Sequence, residues 1–180
     1  MKDKLLSLQW KINLWVETVI LTRLTPQASP GLLFRWIFKI PVLFYRLGLW
    51  NLVGKRVLML ITTGRKTGKT RYTPLEYGYD PASDSYTVMA GWGGKTDWYR
   101  NAVANRRVRA RVQQRAFEAT VEPLTDAEVA EMLAMVSRVN PVANRMWSRW
   151  AGFEVDGSPE SLLRAAPFFS SLRLRPLKNQ

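Results

Sequence analysis

The chain has no cysteine and no histidine among its 180 residues. That removes thiol nucleophiles, disulfides, imidazole acid–base catalysis and the commonest zinc and haem ligands, so no metal site is expected. Serine hydrolysis with a histidine base is excluded, and hydrolysis by carboxylates alone would need paired Asp or Glu in a pocket. Acidic residues are themselves scarce: 14 Asp and Glu against 27 Lys and Arg leave a formal charge of +13. An anionic partner is implied, whether nucleic acid, anionic lipid or a phosphorylated cofactor. The chemistry that best survives these deletions is cofactor chemistry, in which the protein binds and orients.

Long apolar runs are missing too. No stretch of about 18 uncharged apolar residues is present to span a bilayer, and Met1-Lys-Asp-Lys-Leu-Leu-Ser lacks the apolar core of a signal peptide. The expected location is cytoplasmic. What is present is a composition 47% hydrophobic and 12% aromatic, which excludes a disordered chain, in a length that suits one domain.

Leu5, Leu8, Ile12, Trp15, Val16, Val19 and Ile20 recur at helical spacing over residues 1–23, and a second aromatic stretch runs over 31–50. Residues 1–50 are accordingly expected as an N-terminal helical segment, and 51–180 as the cofactor-binding domain. From Val57 the pattern changes to a short apolar run, Val57 to Thr63, that reads as a buried strand ended by Gly64. Arg71 to Tyr79 and Ser85 to Ala90 form a hairpin across the turn cluster 80–84, and Val108 to Val112 and Ala116 to Glu122 form a second across 113–115. Asp97 to Asn105 reads as a short helix, Thr125-Asp-Ala-Glu128 is a capping box opening another, and Asp156-Gly-Ser-Pro159 turns into a third. The Trp-rich segment 140–150 is less regular, and Leu172 to Leu174 suits a last strand. Antiparallel strands with helices at both ends predict an α+β fold whose sheet closes as a small barrel.

Two segments carry the chemistry. Thr62-Thr63-Gly64-Arg65-Lys66-Thr67-Gly68-Lys69-Thr70-Arg71 frames a tight connection with two glycines and fills it with cations, a composition suited to an anion. Three residues, not four, separate Gly64 from Gly68, so it is not a P-loop. An ordinary solvated hairpin tip is the alternative. Ala90-Gly91-Trp92-Gly93-Gly94-Lys95-Thr96-Asp97-Trp98-Tyr99 leaves a strand and enters a helix, so bare backbone and a helix N-terminus could meet a flat anionic ligand. The alternative is that Trp98 and Tyr99 are core anchors, with Asp97 as the helix cap. Arg106, Arg107, Arg109 and Arg111 read as a solvated strand face, and no nucleic-acid-binding motif accompanies them.

Together the two segments resemble the deazaflavin-dependent nitroreductase family, also called F420H2-dependent quinone reductases. The family pattern is met at Thr62 to Gly68, Arg71, Pro74-Leu75, Gly93-Gly94, Trp98-Tyr99, Asn101 and Ala104-Asn105. The resemblance implies a split β-barrel, related to flavin-binding oxidase barrels, that binds coenzyme F420, with FMN as the alternative. By the same resemblance Arg65, Lys66 and Arg71 take the phosphate and acidic tail, Thr67 and Gly68 give backbone or hydroxyl contacts, and Pro74 flanks the ring system. Ala90, Gly91, Trp92, Gly93, Trp98 and Tyr99 line its side. Hydride would pass to a small electron-poor acceptor, a quinone or a nitro compound. With no histidine, the proton donor comes down to Tyr99, Tyr72 or Tyr45. A non-catalytic binder of flavin, haem or lipid on the same barrel is the rival. The aromatic, basic first 50 residues suit either contact with the inner membrane face, where a lipid-soluble quinone would be met, or a homodimer interface.

Overall fold

The computed structural model describes residues 57–177, except Trp92 and Pro141, together with Tyr45. Apart from Tyr45, which is helical, the N-terminal segment expected over 1–50 lies outside the described residues, as does Trp92. Six antiparallel strands close a barrel in the order β1-β2-β3-β6-β5-β4. These are β1 (Val57–Thr63), β2 (Thr70–Asp80), β3 (Ser85–Met89), β4 (Arg107–Val112), β5 (Arg115–Pro123) and β6 (Ser171–Pro176). The described helices are α1 (Asp97–Asn105), α2 (Asp126–Val139), α3 (Val142–Ala151) and α4 (Pro159–Ala165), with a 3-10 turn at Ala166–Phe168. None of them is long and apolar enough to cross a membrane.

Strand alternation fills the barrel. Leu58 and Leu60 of β1, Val88 of β3, Val108 and Ala110 of β4, Ala119 of β5 and Leu172 and Leu174 of β6 form one buried cluster, with Ala102 of α1 packed into it. The intervening residues face outward, among them Met59, whose neighbours across the sheet are Pro74 and Arg111. A second core forms where α2, α3 and α4 pack together. It holds Val129, Leu133, Trp147, Val155, Leu162 and Phe169. Helix α2 starts as its sequence dictates: the Thr125 hydroxyl accepts from the Glu128 N–H at 3.3 Å, and the Glu128 carboxylate accepts from the Thr125 N–H at 2.8 Å. The Trp-rich segment that looked irregular is helix α3, which buries Ala143 and Trp147 on one face.

Register decides what lies at each barrel end. Thr63 pairs with Thr70, Met89 with Ser171 and Pro123 with Leu172. The β1–β2 turn, the exit of β3 and the entry to β6 therefore share one end, which α1 plugs with Ala102. At the far end, Asp80 pairs with Ser85 and Val112 with Arg115. There Arg115 joins two turns by a 2.7 Å ion pair with Asp84.

Candidate functional site

The β1–β2 turn is closed by its own backbone. Gly64 N–H donates to the Lys69 carbonyl at 2.9 Å, and the N–H groups of Thr67 and Gly68 both donate to the Gly64 carbonyl, at 3.2 and 2.8 Å. A side chain at Gly64 would meet the Thr67 hydroxyl at 2.9 Å, and Gly68 sits at φ +65°, so each glycine has a steric reason. These bonds leave Thr67 and Gly68 no free backbone donor for a ligand. What Thr67 retains is its hydroxyl, on which the Lys69 N–H also converges at 3.4 Å.

Arg65 turns inward. Its Nη1 donates to the Asp97 carboxylate at 2.9 Å and to Asn101 Oδ1 at 3.0 Å, while its backbone N–H donates to the same Asn101 oxygen at 3.1 Å. One helical turn further, Asn105 Nδ2 donates to the Thr63 carbonyl at 2.9 Å and to the Asn101 carbonyl at 2.8 Å. The basic turn and the start of α1, more than 30 residues apart in sequence, are thus in direct contact. Lys66, Lys69 and Arg71 are exposed, and among the described residues none of them forms an ion pair. Arg71 lies on the barrel-end side of the turn, its Nε 3.7 Å from where a Gly64 Cβ would stand.

Beyond β3 the chain is strapped to the segment that enters β6. Ala90 N–H donates to the Ser170 carbonyl at 2.8 Å and Gly93 N–H to the Phe168 carbonyl at 3.0 Å. The glycine faces are met by the protein itself. A Cβ at Gly94 would fall 3.0 Å from the Tyr99 ring and 3.1 Å from Ser170 Oγ, one at Gly93 3.4 Å from the Pro167 carbonyl, and one at Gly91 3.9 Å from the Trp150 ring. Gly93 and Gly94 also hold φ of +58° and +67°. Trp98 and Tyr99 are half-buried and pack against the barrel core. The N-cap of α1 is Thr96, not Asp97, and it makes no side-chain cap bond. The hydroxyls of Thr96 and Thr62 are buried without a hydrogen-bond partner. Pro74 is buried on the outer wall beside Met59, and so is set apart from the turn.

Of the three tyrosines, Tyr99 lies on α1 with its ring against Gly94, Tyr72 stands on the outer wall opposite Ile61, and the Tyr45 ring lies 5.7 Å from the Arg111 guanidinium. Burial raises the Tyr45 phenol above its ordinary value of 10.0, against the pull of Arg111, which keeps its proton on. Sequence reasoning placed Asp97 here only as a helix cap, and did not assign Trp150 or Ser170 to this neighbourhood. Asn101 and Asn105 were part of the motif without a role; their spacing of four on a helix was the available signal.

A phosphorylated, acidic cofactor fits the turn end of this arrangement. Three exposed cations without an ion pair among the described residues stand over a turn of fixed shape, and two buried hydroxyls lack partners there. Against the ring end, Trp150 already covers the bare face of Gly91. A solved protein of unknown function from Agrobacterium tumefaciens superposes with a TM-score of 0.50 at 17% identity, over 87% of this chain and 60% of its own, and shares the fold. A solved F420-H2 dependent reductase superposes with a TM-score of 0.47 at 19% identity, over 67% of this chain and 95% of its own. An F420H(2)-dependent quinone reductase of Mycobacterium tuberculosis H37Rv is 37% identical over 93 residues, which cover 49% of this chain. The match spans 60% of that relative's length. Residues 48–149, more than half of the chain, match the family described as F420H(2)-dependent quinone reductase, and the chain belongs to that family.

Proposed function

We propose that this protein is an oxidoreductase that binds reduced coenzyme F420 and passes its hydride to an electron-poor acceptor such as a quinone or nitro compound. The observation that carries the reading is the turn, with Lys66, Lys69 and Arg71 exposed and, among the described residues, unpaired above a backbone fixed against α1. When bound, the deazaflavin supplies the hydride. The chain supplies the rest. Lys66 and Arg71, with Lys69 beside them, hold the phosphate and acidic end by charge-assisted bonds. The Thr67 hydroxyl adds a neutral contact. Arg65 acts from behind, holding Asp97 and Asn101. Pro74 on the outer wall and Ala90, Gly91, Trp92, Gly93, Trp98 and Tyr99 at the strand exit frame the ring, and Tyr99 is the proton donor of this scheme.

The protein works in the cytoplasm, at the inner membrane face, where its basic charge favours anionic lipid and its acceptor is a lipid-soluble quinone. Titration with F420, FMN and haem side by side, followed by turnover of reduced F420 with a quinone and with a nitro compound, tests the function. Preferred F420 binding with acceptor-dependent oxidation supports it. Tight binding without turnover would establish a non-catalytic binder instead. Flotation with anionic vesicles tests the location, and failure to float at low salt, with a soluble homodimer of the full chain, ends the membrane reading.

A further inference from the structure

We infer that Asn105 is a positioning residue for the cofactor, acting through the Thr63 carbonyl and Asn101 to aim the Gly64–Gly68 turn. This rests on the reading that the turn holds the anionic end of the cofactor.

The bonds inside the turn fix its shape but not its direction. A side chain at Gly68 would meet nothing within 4 Å, so no packing on that side of the tip fixes its direction. Two asparagines on α1 remove that freedom. Asn105 uses Nδ2 as a donor, bridging the Thr63 carbonyl, just before the turn, to the Asn101 carbonyl on its own helix. Asn101 uses Oδ1 as an acceptor, taking the Arg65 backbone N–H and the Arg65 guanidinium together. The first bond sets where β1 ends. The second sends the Arg65 side chain inward, so the next residue, Lys66, points to solvent. Cations aimed before the ligand arrives bind it with less ordering on association.

The asymmetry gives a test that packing alone would not meet. Aspartate is isosteric with asparagine but cannot donate when ionised. At position 101 an acceptor is all that is needed, and the Arg65 guanidinium faces it. At position 105 a donor is needed, and a carboxylate would face two carbonyl oxygens.

The experiment uses the full chain with Asn105→Asp, Asn101→Asp and Asn105→Ala, the last removing the donor without adding charge should Asn105→Asp not fold. Hydrogen exchange of the Arg65 amide is followed without ligand, and KM and kcat are measured with reduced F420 and a soluble quinone. Asn105→Asp and Asn105→Ala are expected to speed Arg65 exchange and to raise the F420 KM roughly tenfold with kcat within about twofold, the pattern of lost uniform binding. Asn101→Asp, which keeps an acceptor for the Arg65 N–H and guanidinium, is expected to leave Arg65 exchange as slow as in wild type. Equal behaviour of the two aspartate variants, or unchanged Arg65 exchange in both Asn105 variants, overturns the inference. If wild type shows no F420 binding, the proposed function falls while the exchange data still decide whether Asn105 aims the turn.

Discussion

Replacing Arg65 with Ala, and separately Lys66 and Arg71 together with Ala, should give opposite signatures. Arg65→Ala removes the guanidinium's bonds to Asp97, through its carboxylate and at 3.5 Å its carbonyl, and to Asn101. Those to Asp97, whose side chain is 84% exposed, are worth about 0–1 kcal/mol. The one to Asn101, which is only 5% exposed, falls in the range of about 1.5–3 kcal/mol for a bond to a charged group. Its loss sits at the low end, because Asn101 Oδ1 keeps the Arg65 backbone N–H at 3.1 Å. The sum of about 2 kcal/mol should lower Tm by roughly 4–8 °C in a chain of this size. The double variant breaks no ion pair or hydrogen bond among the described residues and should leave Tm within about 1 °C. Its effect falls on F420 affinity. Two exposed, screened contacts of about 1 kcal/mol each predict a roughly thirtyfold weaker Kd. Calorimetric titration at low and high salt with parallel thermal melts separates the two. Wild-type affinity should fall as salt rises, and the double variant should respond less. A Lys66/Arg71 variant with unchanged affinity, or an Arg65→Ala variant that loses affinity at unchanged Tm, refutes the division of roles.

Gly94→Ala places a Cβ 3.0 Å from the Tyr99 ring at φ +67°, and should destabilise by about 1–3 kcal/mol, read as a Tm loss without ligand. Gly68→Ala shares the φ strain but meets nothing within 4 Å, so it should lose less than Gly94→Ala in the same melt. Leu133→Ala, fully buried in the helical core, should lose about 2–5 kcal/mol in urea unfolding, with F420 affinity unchanged in the fraction that is folded. The Arg115 guanidinium holds the Asp84 carboxyl at about 2, below its ordinary 3.8, with Tyr79 adding a hydrogen bond. A depressed folded value means stabilisation complete above about pH 4 and lost as pH falls toward 2. Asp84→Asn should therefore flatten Tm against pH over that window, partially, because Ser161 and Ser158 hold Asp156 at about 2 as well.

Much of the barrel could be read from local pattern. The run Val57–Thr63, the turn cluster 80–84 and the Thr125 capping box each carry their signal within a few residues, and each stands where it was expected. Helix α3 was obscured because Arg145 and Arg149 break up the apolar run in the sequence, although both stand exposed on the opposite face of the helix. Its real signal is the three- and four-residue spacing of Ala143, Met146, Trp147 and Trp150. The turn was recognisable as cationic, but its division of labour was not. Arg65 and Lys66 are adjacent and chemically alike, and it is the contacts of Arg65 with Asp97 and Asn101, 32 and 36 residues away, that separate them. The glycines of 91–94 mislead in a similar way. Small residues signal close approach, yet sequence does not say what approaches, and here Tyr99, Ser170, Pro167 and Trp150 take much of that space.

The last strand closes the ring. Ser171–Pro176 lies between β3 and β5, so Tyr86 and Val121 both wait for Leu174, which comes 88 and 53 residues later in the chain. During synthesis the ribosome releases the basic turn, α1 and five strands before the strand that joins their two open edges exists. Until then β3 and β5 each present an unpaired edge able to add a foreign strand. The strap bonds from Ala90 and Gly93 also wait, since their partners Ser170 and Phe168 precede β6 by only a few residues. Barrel closure and completion of the strand-exit loop therefore belong to one late event, and a chain stalled short of residue 171 would carry the cationic turn while lacking the loop's support.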